Sequence, residues 1–308
     1  MYHPRKVALI LADWPRYELF CPNFRGMQDG LKTLGIDFKM FSCRPEMNLS
    51  TDDVIAYKPD LVVYGLLDMV KNKIMRNAIR KGLPKAKIIM WYGDFRSDKT
   101  GGQIEQDMSE IDMMFVSNNA QNEYYERKWK VPKCEFMPLG CSLYEPVFKE
   151  ELSFPFVFVG AKITGSWFLD RAKLIIDFEK NGLKYVNAPA DTSAQVRTNI
   201  MKEIPNLYYS SKIVLDISHF TDIDGYTSNR YWVIPASKGV ALTKRWPGCE
   251  AFYPEGTRIY FDTQEEALSK LKYYLDNEGE RFKIRVAGYE QAKNHTYDKR
   301  WLQIFAKL

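Results

Sequence analysis

The sequence has few of the residues that bind structural metal ions or cross-link small domains. It contains five cysteines and three histidines among 308 residues. The cysteines are odd in number, and no two of them are spaced as C-x-x-C. A disulfide framework and a structural zinc site are therefore both disfavoured, and the cysteines are expected to be reduced thiols.

Long apolar runs are also missing from the sequence. No stretch reaches the roughly 18 consecutive apolar residues of a membrane span. The first apolar run begins at Val7 and meets Asp13 before a signal-peptide core is complete. These features predict a cytoplasmic protein.

The chain has no strong excess of charge of either sign. Its 44 basic and 39 acidic side chains give a formal net charge of +5, which disfavours a dedicated nucleic-acid-binding domain. One local exception is a basic run without any acid between Asp68 and Asp94. Its members are Lys71, Lys73, Arg76, Arg80, Lys81, Lys85 and Lys87. We interpret the run as a solvated outer helix face rather than as an anion or nucleic-acid track.

Short apolar runs alternate with helical patterns along the whole chain. Because the runs lie too far apart for hairpins, they are typical of parallel strands joined by crossover helices. The first half has such runs at 7–12, 37–41, 61–65, 87–93, 113–118 and 134–140, and the second half at 156–160, 183–187, 212–218, 239–243 and 258–262. Thr263 and Glu266 form a capping box ahead of a further helix. The sequence thus predicts an α/β fold with two Rossmann-like domains.

The segment 142–155 separates the two series of strands. It contains two prolines, a charge cluster and little apolar periodicity, as linkers do. We therefore predict domains at 1–148 and 149–295, with a C-terminal helix at 296–308 that packs back on the N-terminal domain. The ends of the parallel strands in both sheets are expected to face an interdomain cleft.

Ligands of open parallel sheets bind at the loops that follow the strands, and the loop 160–165 is the first candidate. Gly160 and Gly165 let the backbone approach a phosphate, and Lys162 and Thr164 lie between them. The loop is neither a Walker loop nor G-x-G-x-x-G. A plain strand-to-helix turn explains it about as well as a phosphate-binding site does.

The second candidate is the stretch 219–232, which leaves one predicted strand and enters a helix. Its candidate residues for binding a phosphate-bearing ligand are His219, Tyr226, Thr227, Ser228, Asn229 and Arg230. Ser228 is a plausible N-cap, and the free amides of a helix N-terminus bind phosphate. Arg230 adds a bidentate fork for the same oxygens. Because a cation in a first helical turn opposes the helix dipole, a bound anion is favoured there.

The third candidate is a pair of loops in the first half that carry aromatic and acidic side chains. Trp14, Tyr17, Trp91 and Tyr92 are expected to stack on a sugar or base, as the second substrate of the site would offer. Asp13 and Asp94 are candidate general bases for an acceptor hydroxyl. The alternative is that these aspartates cap helices or pair with a nearby arginine.

The stretch from about Tyr208 to Ile304 resembles the CgeB-like, glycosyl-transferases-group-1 type of C-terminal domain found in GT-B enzymes. The ordered elements that carry the resemblance are Arg230, Gly239, Thr243, Gly248 with Glu250 and Phe252, and the stretch from His295 to Arg300. The first half is similar to that family only in its layout. The resemblance implies a GT-B glycosyltransferase with a nucleotide-sugar donor in the C-terminal domain, an acceptor held chiefly by the N-terminal domain, and no required metal.

The chain departs from the family pattern at one position. Relatives commonly place a ribose-binding glutamate five residues before the helix-ending Gly239, where this chain has Ile234 beside Pro235. Glu250 is a possible substitute. Arg230 is the diphosphate contact that the resemblance implies.

The sequence therefore predicts sugar transfer from a nucleotide-diphosphate sugar, with a UDP-sugar as co-substrate, no other cofactor, and a monomer or homodimer. The acceptor stays open between a glycan, a protein, a small molecule and a hydroxymethylated base in DNA. The basic run and the aromatic loops motivate the DNA alternative. A non-catalytic nucleotide-sugar binding module is the alternative of another class.

Overall fold

The computed structural model describes residues 2–11, 22–42, 50–65, 73–93, 107–160, 169–187 and 194–308. The chain divides into two units. The N-terminal unit comprises Met1–Leu139 and Tyr297–Leu308, and the C-terminal unit comprises Gly140–Thr296. The division falls at Leu139, just before the segment in which the sequence places a linker.

The N-terminal unit contains a six-stranded sheet in which every neighbouring pair is parallel. The strands are β1 (Lys6–Leu11), β2 (Asp37–Ser42), β3 (Leu61–Gly65), β4 (Lys87–Tyr92), β5 (Met113–Val116) and β6 (Cys134–Phe136). Their order is β2-β1-β3-β4-β5-β6. The central strands read as continuous apolar runs because helices cover both faces of the sheet.

Five helices belong to the N-terminal unit within its described ranges. They are α1 (Pro22–Thr33), α2 (Thr51–Tyr57), α3 (Lys73–Gly82), α4 (Asn122–Lys128) and the C-terminal α10 (Tyr297–Lys307). A Cβ added to Gly30 of α1 would lie 2.7 Å from the carbonyl carbon of Tyr297, so glycine permits the close approach of α10. Trp301 Nε1 donates to Met27 O at 2.9 Å and fixes the contact.

The basic run does not form a uniformly solvated helix face, which corrects that interpretation. Arg76 is fully buried and pairs with Glu110, while Arg80 pairs with Asp112 at 2.8 Å. Lys73 pairs with Asp107 at 2.8 Å. Acids that follow in the chain thus pair with three cations of the run. Arg76 in particular needs such a partner, because burying an unpaired guanidinium is costly.

The C-terminal unit contains a second parallel sheet, with five strands in the order β11-β10-β9-β7-β8. The strands are β7 (Phe156–Gly160), β8 (Lys184–Asn187), β9 (Ile213–Asp216), β10 (Ala241–Lys244) and β11 (Ile259–Phe261). The helices are α5 (Leu169–Lys180), α6 (Ala194–Ser210), α7 (Asn229–Ala236), α8 (Gln264–Asp276) and α9 (Glu278–Ala292). The predicted capping box is confirmed, since Thr263 accepts a hydrogen bond from Glu266 N.

Within the described residues, no helix combines the length and apolar character that a membrane crossing needs.

Candidate functional site

Two neighbouring strands of the second sheet end at the same edge and bring the candidate residues of the C-terminal unit together. β7 ends at Gly160 and pairs with β9, which ends at Asp216. The chain then continues from β9 through His219 to α7, whose second residue is Arg230. The carboxyl edge of a parallel sheet is where α/β proteins bind their ligands.

Arg230 lies across the ends of both strands. Its Nη2 donates to Ile217 O at 2.7 Å and its Nη1 to Val159 O at 3.3 Å. The guanidinium carbon is 4.8 Å from the centroid of the Phe158 ring, in cation–π range. These contacts with the two strands hold the guanidinium at the carboxyl edge.

Gly160 is needed here for a different reason from the one that the sequence suggests. A Cβ at this position would lie 2.9 Å from Arg230 Nη1. The glycine thus admits the guanidinium to the sheet edge, and the expected approach of a phosphate to its backbone stays a prediction. Lys162, Thr164 and Gly165 lie outside the described residues.

A second arginine, which the sequence analysis did not single out, shares the same aromatic ring. Arg171 in the first turn of α5 is buried, and its guanidinium carbon is 5.4 Å from the Phe158 centroid. A cation in the first turn of a helix that follows a glycine-ended strand is the signal that would have found it, because the helix dipole disfavours that position without an anion.

The pKa of His219 is affected by the positive charges at this edge. Its pKa is lowered to about 3, first by burial and then by the charges of Arg171 and Arg230. The imidazole is therefore neutral at physiological pH. Arg171, Arg230 and neutral His219 form what we call the cationic cluster. An anion is the ligand that such a cluster favours.

The residues that open α7 play unequal parts. Ser228 occupies the N-cap position, but its side chain makes no capping hydrogen bond, and Oγ is buried without a partner in the described part of the chain. Its amide donates to Ser218 Oγ at 2.9 Å. Thr227 Oγ1 accepts from Trp232 Nε1 at 2.9 Å, so this hydroxyl supports the core. Asn229 is half-buried at the start of the helix.

Tyr226 is buried, and its ring packs against Phe220 at a centroid distance of 5.4 Å. This ring contact stabilises the loop between β9 and α7. The donor contact predicted for it stays a prediction.

Asp216 faces Arg230, with Oδ1 4.0 Å from Arg230 Nε. It also pairs with the buried Arg258, whose Nη1 lies 3.2 Å from Oδ2. Burial raises the pKa of Asp216, and the two guanidiniums oppose that rise. Because arginine stays protonated, we take the carboxyl group as ionised between its two cationic partners.

A pocket of about 390 Å³ lies at the ends of β10 and β11. Its wall includes Arg245, Trp246, Glu250 and Asp262. Glu250 is half-exposed and pairs with Arg245, which also binds Asp262 at 3.2 Å. The carboxylate of Glu250 is thus anchored at the rim of the pocket and not buried. Among the described residues, no three His, Cys, Asp or Glu side chains are grouped so that they could hold a metal ion.

The predicted acceptor-stacking role of Trp91 and Tyr92 is wrong for the described conformation. Both rings are at most 1 % exposed. Trp91 packs edge-on against Trp301 at 5.5 Å, and Tyr92 packs against Tyr125 at 5.6 Å. Both side chains stabilise the core because β4 is covered on its two faces. The other candidates of the N-terminal half, Asp13, Trp14, Tyr17 and Asp94, lie outside the described residues.

Comparison with known families matches residues 144–306, just over half of the chain, to a family described as glycosyl transferase-like. The chain belongs to this family. It is a glycosyltransferase, and the matched region contains the cationic cluster. The narrower CgeB-like assignment stays a prediction. A comparison with curated proteins gave no match.

Solved structures with the same fold cover nearly the whole chain. An alpha-glucosyltransferase (AGT) in complex with UDP is 10 % identical, with a TM-score of 0.67 over 98 % of this chain and 99 % of that one. Anabaena Alr3699/HepE in complex with UDP and glucose is 10 % identical, with a TM-score of 0.60 over 99 % and 100 %. Sucrose-phosphate synthase from Thermosynechococcus elongatus is 10 % identical, with a TM-score of 0.58 over 98 % of each chain. The GT-B fold predicted from the sequence is confirmed.

Proposed function

We propose that the C-terminal unit binds a nucleotide-diphosphate sugar, with UDP as the nucleotide, and that the enzyme transfers the sugar to an acceptor hydroxyl. The observation that carries this proposal is the cationic cluster, in which the guanidiniums of Arg171 and Arg230 both lie against the Phe158 ring. Two similar folds have been solved in complex with UDP, which supports the choice of nucleotide.

The cluster suits the chemistry of the departing nucleotide. Negative charge grows on the diphosphate as the sugar bond breaks, and guanidinium groups fixed beforehand stabilise that charge without reorganising. The guanidinium of Arg230 is the proposed fork for the phosphate oxygens, and Ser228 Oγ is a further hydrogen-bonding group beside it. Because the two arginines offset the charge, the proposed reaction requires no metal ion.

The pocket beside Glu250 is the proposed site of the nucleoside. The carboxylate of Glu250 at its rim can accept hydrogen bonds from ribose hydroxyls. The glutamate that usually does so is replaced by Ile234 in α7, and isoleucine cannot accept a hydrogen bond through its side chain. His219, kept neutral, donates or accepts a hydrogen bond between the nucleoside and the diphosphate. Asp13 and Asp94 are the proposed bases for the acceptor.

A glycan, a protein or a small molecule is the proposed source of the acceptor hydroxyl. The basic run and the aromatic loops motivate the DNA alternative, and ion pairs occupy three cations of that run, Lys73, Arg76 and Arg80. Phosphate contacts by these side chains would have to break those pairs. We therefore do not favour hydroxymethylated DNA as the acceptor, and transfer of a labelled sugar to such DNA would reinstate it.

Titration calorimetry with UDP, GDP and dTDP tests the donor site. We expect UDP to bind to the wild type. Arg230→Gln should raise the Kd for UDP by roughly tenfold or more, as loss of a charge-assisted hydrogen bond does. Arg127→Gln, at an exposed arginine of α4, is the matched control and should bind as the wild type does. Labelled UDP-sugars then report turnover with and without EDTA. Unchanged UDP affinity in Arg230→Gln would refute the proposal.

A further inference from the structure

Asp216 is buried in the C-terminal unit and is held through one of its two carboxylate oxygens. Its Oδ2 lies 3.2 Å from Arg258 Nη1 and 3.4 Å from Thr243 Oγ1. Arg258 is itself buried, with its guanidinium carbon 3.8 Å from the Tyr231 ring centroid, and donates to Tyr231 O at 2.7 Å. This arrangement fixes the orientation of the carboxylate.

The other oxygen of Asp216 faces Arg230 without bonding to it. Oδ1 and Arg230 Nε are 4.0 Å apart, and in the described part of the chain neither atom has a hydrogen-bond partner. Both atoms are buried. Meanwhile the two Nη groups of Arg230 donate to the carbonyl oxygens of Val159 and Ile217.

Two buried and complementary groups left unbonded at this distance carry an energetic cost that folding alone does not explain. A shift of roughly 1 Å in the guanidinium would bring Nε within the normal hydrogen-bond length of about 2.9 Å. A phosphate competes for the Nη groups far better than a carbonyl oxygen, because that hydrogen bond is charge-assisted on both sides.

We propose that Asp216 is a positioning residue for the donor. Resting on the proposed function, the inference is that a diphosphate draws the Nη groups of Arg230 from the strand-end carbonyl oxygens while Nε–H closes on Asp216 Oδ1. Arg258 and Thr243 hold the carboxylate in place for this bond. Asp216 therefore acts through Arg230 and touches neither the sugar nor the acceptor.

Two other roles for Asp216 predict different results. If the carboxylate only neutralises Arg258, its loss lowers stability and leaves the affinity of the folded protein for UDP unchanged. If it only adds negative charge near the anion, its loss tightens UDP binding, since like charges repel. The positioning role predicts weaker binding of UDP and unchanged binding of uridine, which has no phosphate.

The test measures UDP and uridine binding by calorimetry in the whole protein, with the thermal midpoint recorded for each variant. Asp216→Asn should weaken the Kd for UDP roughly tenfold, the size expected for one charge-assisted hydrogen bond. Asp276→Asn removes an acid at the exposed end of α8 and should change neither Kd. In an Arg230→Lys background, where no Nε fork exists, Asp216→Asn should add no further loss.

The double variant Asp216→Asn with Arg258→Met removes the buried cation of Arg258 together with its acidic partner and covers the case in which Asp216→Asn alone does not fold. It should show the same loss for UDP. Equal or tighter UDP binding in either Asp216 variant, or an equal loss for uridine, overturns the inference. If Arg230→Lys still weakens UDP, the proposed function survives that result. If the wild type binds none of UDP, GDP and dTDP, both fall.

Discussion

Gly160→Ala tests whether the sheet edge is shaped for the guanidinium of Arg230. The added Cβ would lie 2.9 Å from Nη1 and 2.9 Å from the tip of the Phe158 ring. Because ordinary contact begins at about 3.5 Å, Nη1 must withdraw by roughly half an ångström. The bond from Nη1 to Val159 O is already 3.3 Å long and would be lost.

The size of the effect follows from that lost bond. A buried hydrogen bond of this kind stabilises the fold by about 1 kcal/mol, which for a unit of this size corresponds to a fall in Tm of roughly 2–4 °C. The displaced guanidinium should also weaken the Kd for UDP by roughly tenfold.

Differential scanning calorimetry and UDP titration measure the two effects of Gly160→Ala. Gly279→Ala is the control for UDP affinity, since a Cβ at that exposed glycine meets nothing within 4 Å, and the wild type is the reference for Tm. The reasoning fails if Gly160→Ala leaves Tm at the wild-type value and UDP affinity at that of the control. A loss of stability with full UDP affinity would show that the position of Arg230 at this edge does not matter for the nucleotide.

Two further predictions concern the rest of the cationic cluster. Arg171→Gln should weaken UDP binding by roughly tenfold and leave uridine binding unchanged. Lys173→Gln, on the exposed face of α5, should leave the binding of both ligands unchanged. Equal UDP affinities in titrations of the two variants would remove Arg171 from the site. The pKa of His219 in the folded protein is about 3, below the ordinary value near 6.5, so its contribution to stability is present above pH 6.5 and is lost as the pH falls toward 3. In His219→Gln the free energy of unfolding should therefore fall less steeply as the pH drops across that window. Urea unfolding at several pH values measures this, and an unchanged pH dependence would contradict the burial of a neutral imidazole.

Much of the fold could be predicted because parallel strands buried on both faces appear as apolar runs. The predicted run 61–65 and the strand Leu61–Gly65 coincide, as do the run 156–160 and Phe156–Gly160. The helix α6 was not predicted, since its sequence has weak amphipathicity and contains Pro205. Tertiary packing against β9 and α7 stabilises a helix there that local pattern does not signal.

The candidate site was only partly predictable. Arg230 is conspicuous because a cation at the start of a helix favours a bound anion, and Arg171 in the first turn of α5 carries the same signal. Trp91 and Tyr92 were misplaced because a strand end looks the same in sequence whether its aromatic side chains point into a core or toward a ligand. Only the two packed faces of the first sheet decide that question.

The charges behind Arg230 could not be inferred from the sequence at all. Asp216, Thr243 and Arg258 come from three different strands or strand approaches. Asp216 and Arg258 look like ordinary polar residues beside apolar runs, and Thr243 stands out only as the strand-ending threonine of the family pattern. The order β11-β10-β9 brings them together, because Asp216 is in register with Thr243 and Nη1 of Arg258, which precedes β11, reaches both side chains. Arg230 therefore acts as the outermost member of a buried row of alternating charges. The affinity of the site for an anion then depends on how that row is neutralised from within, as well as on the arginine that meets the ligand.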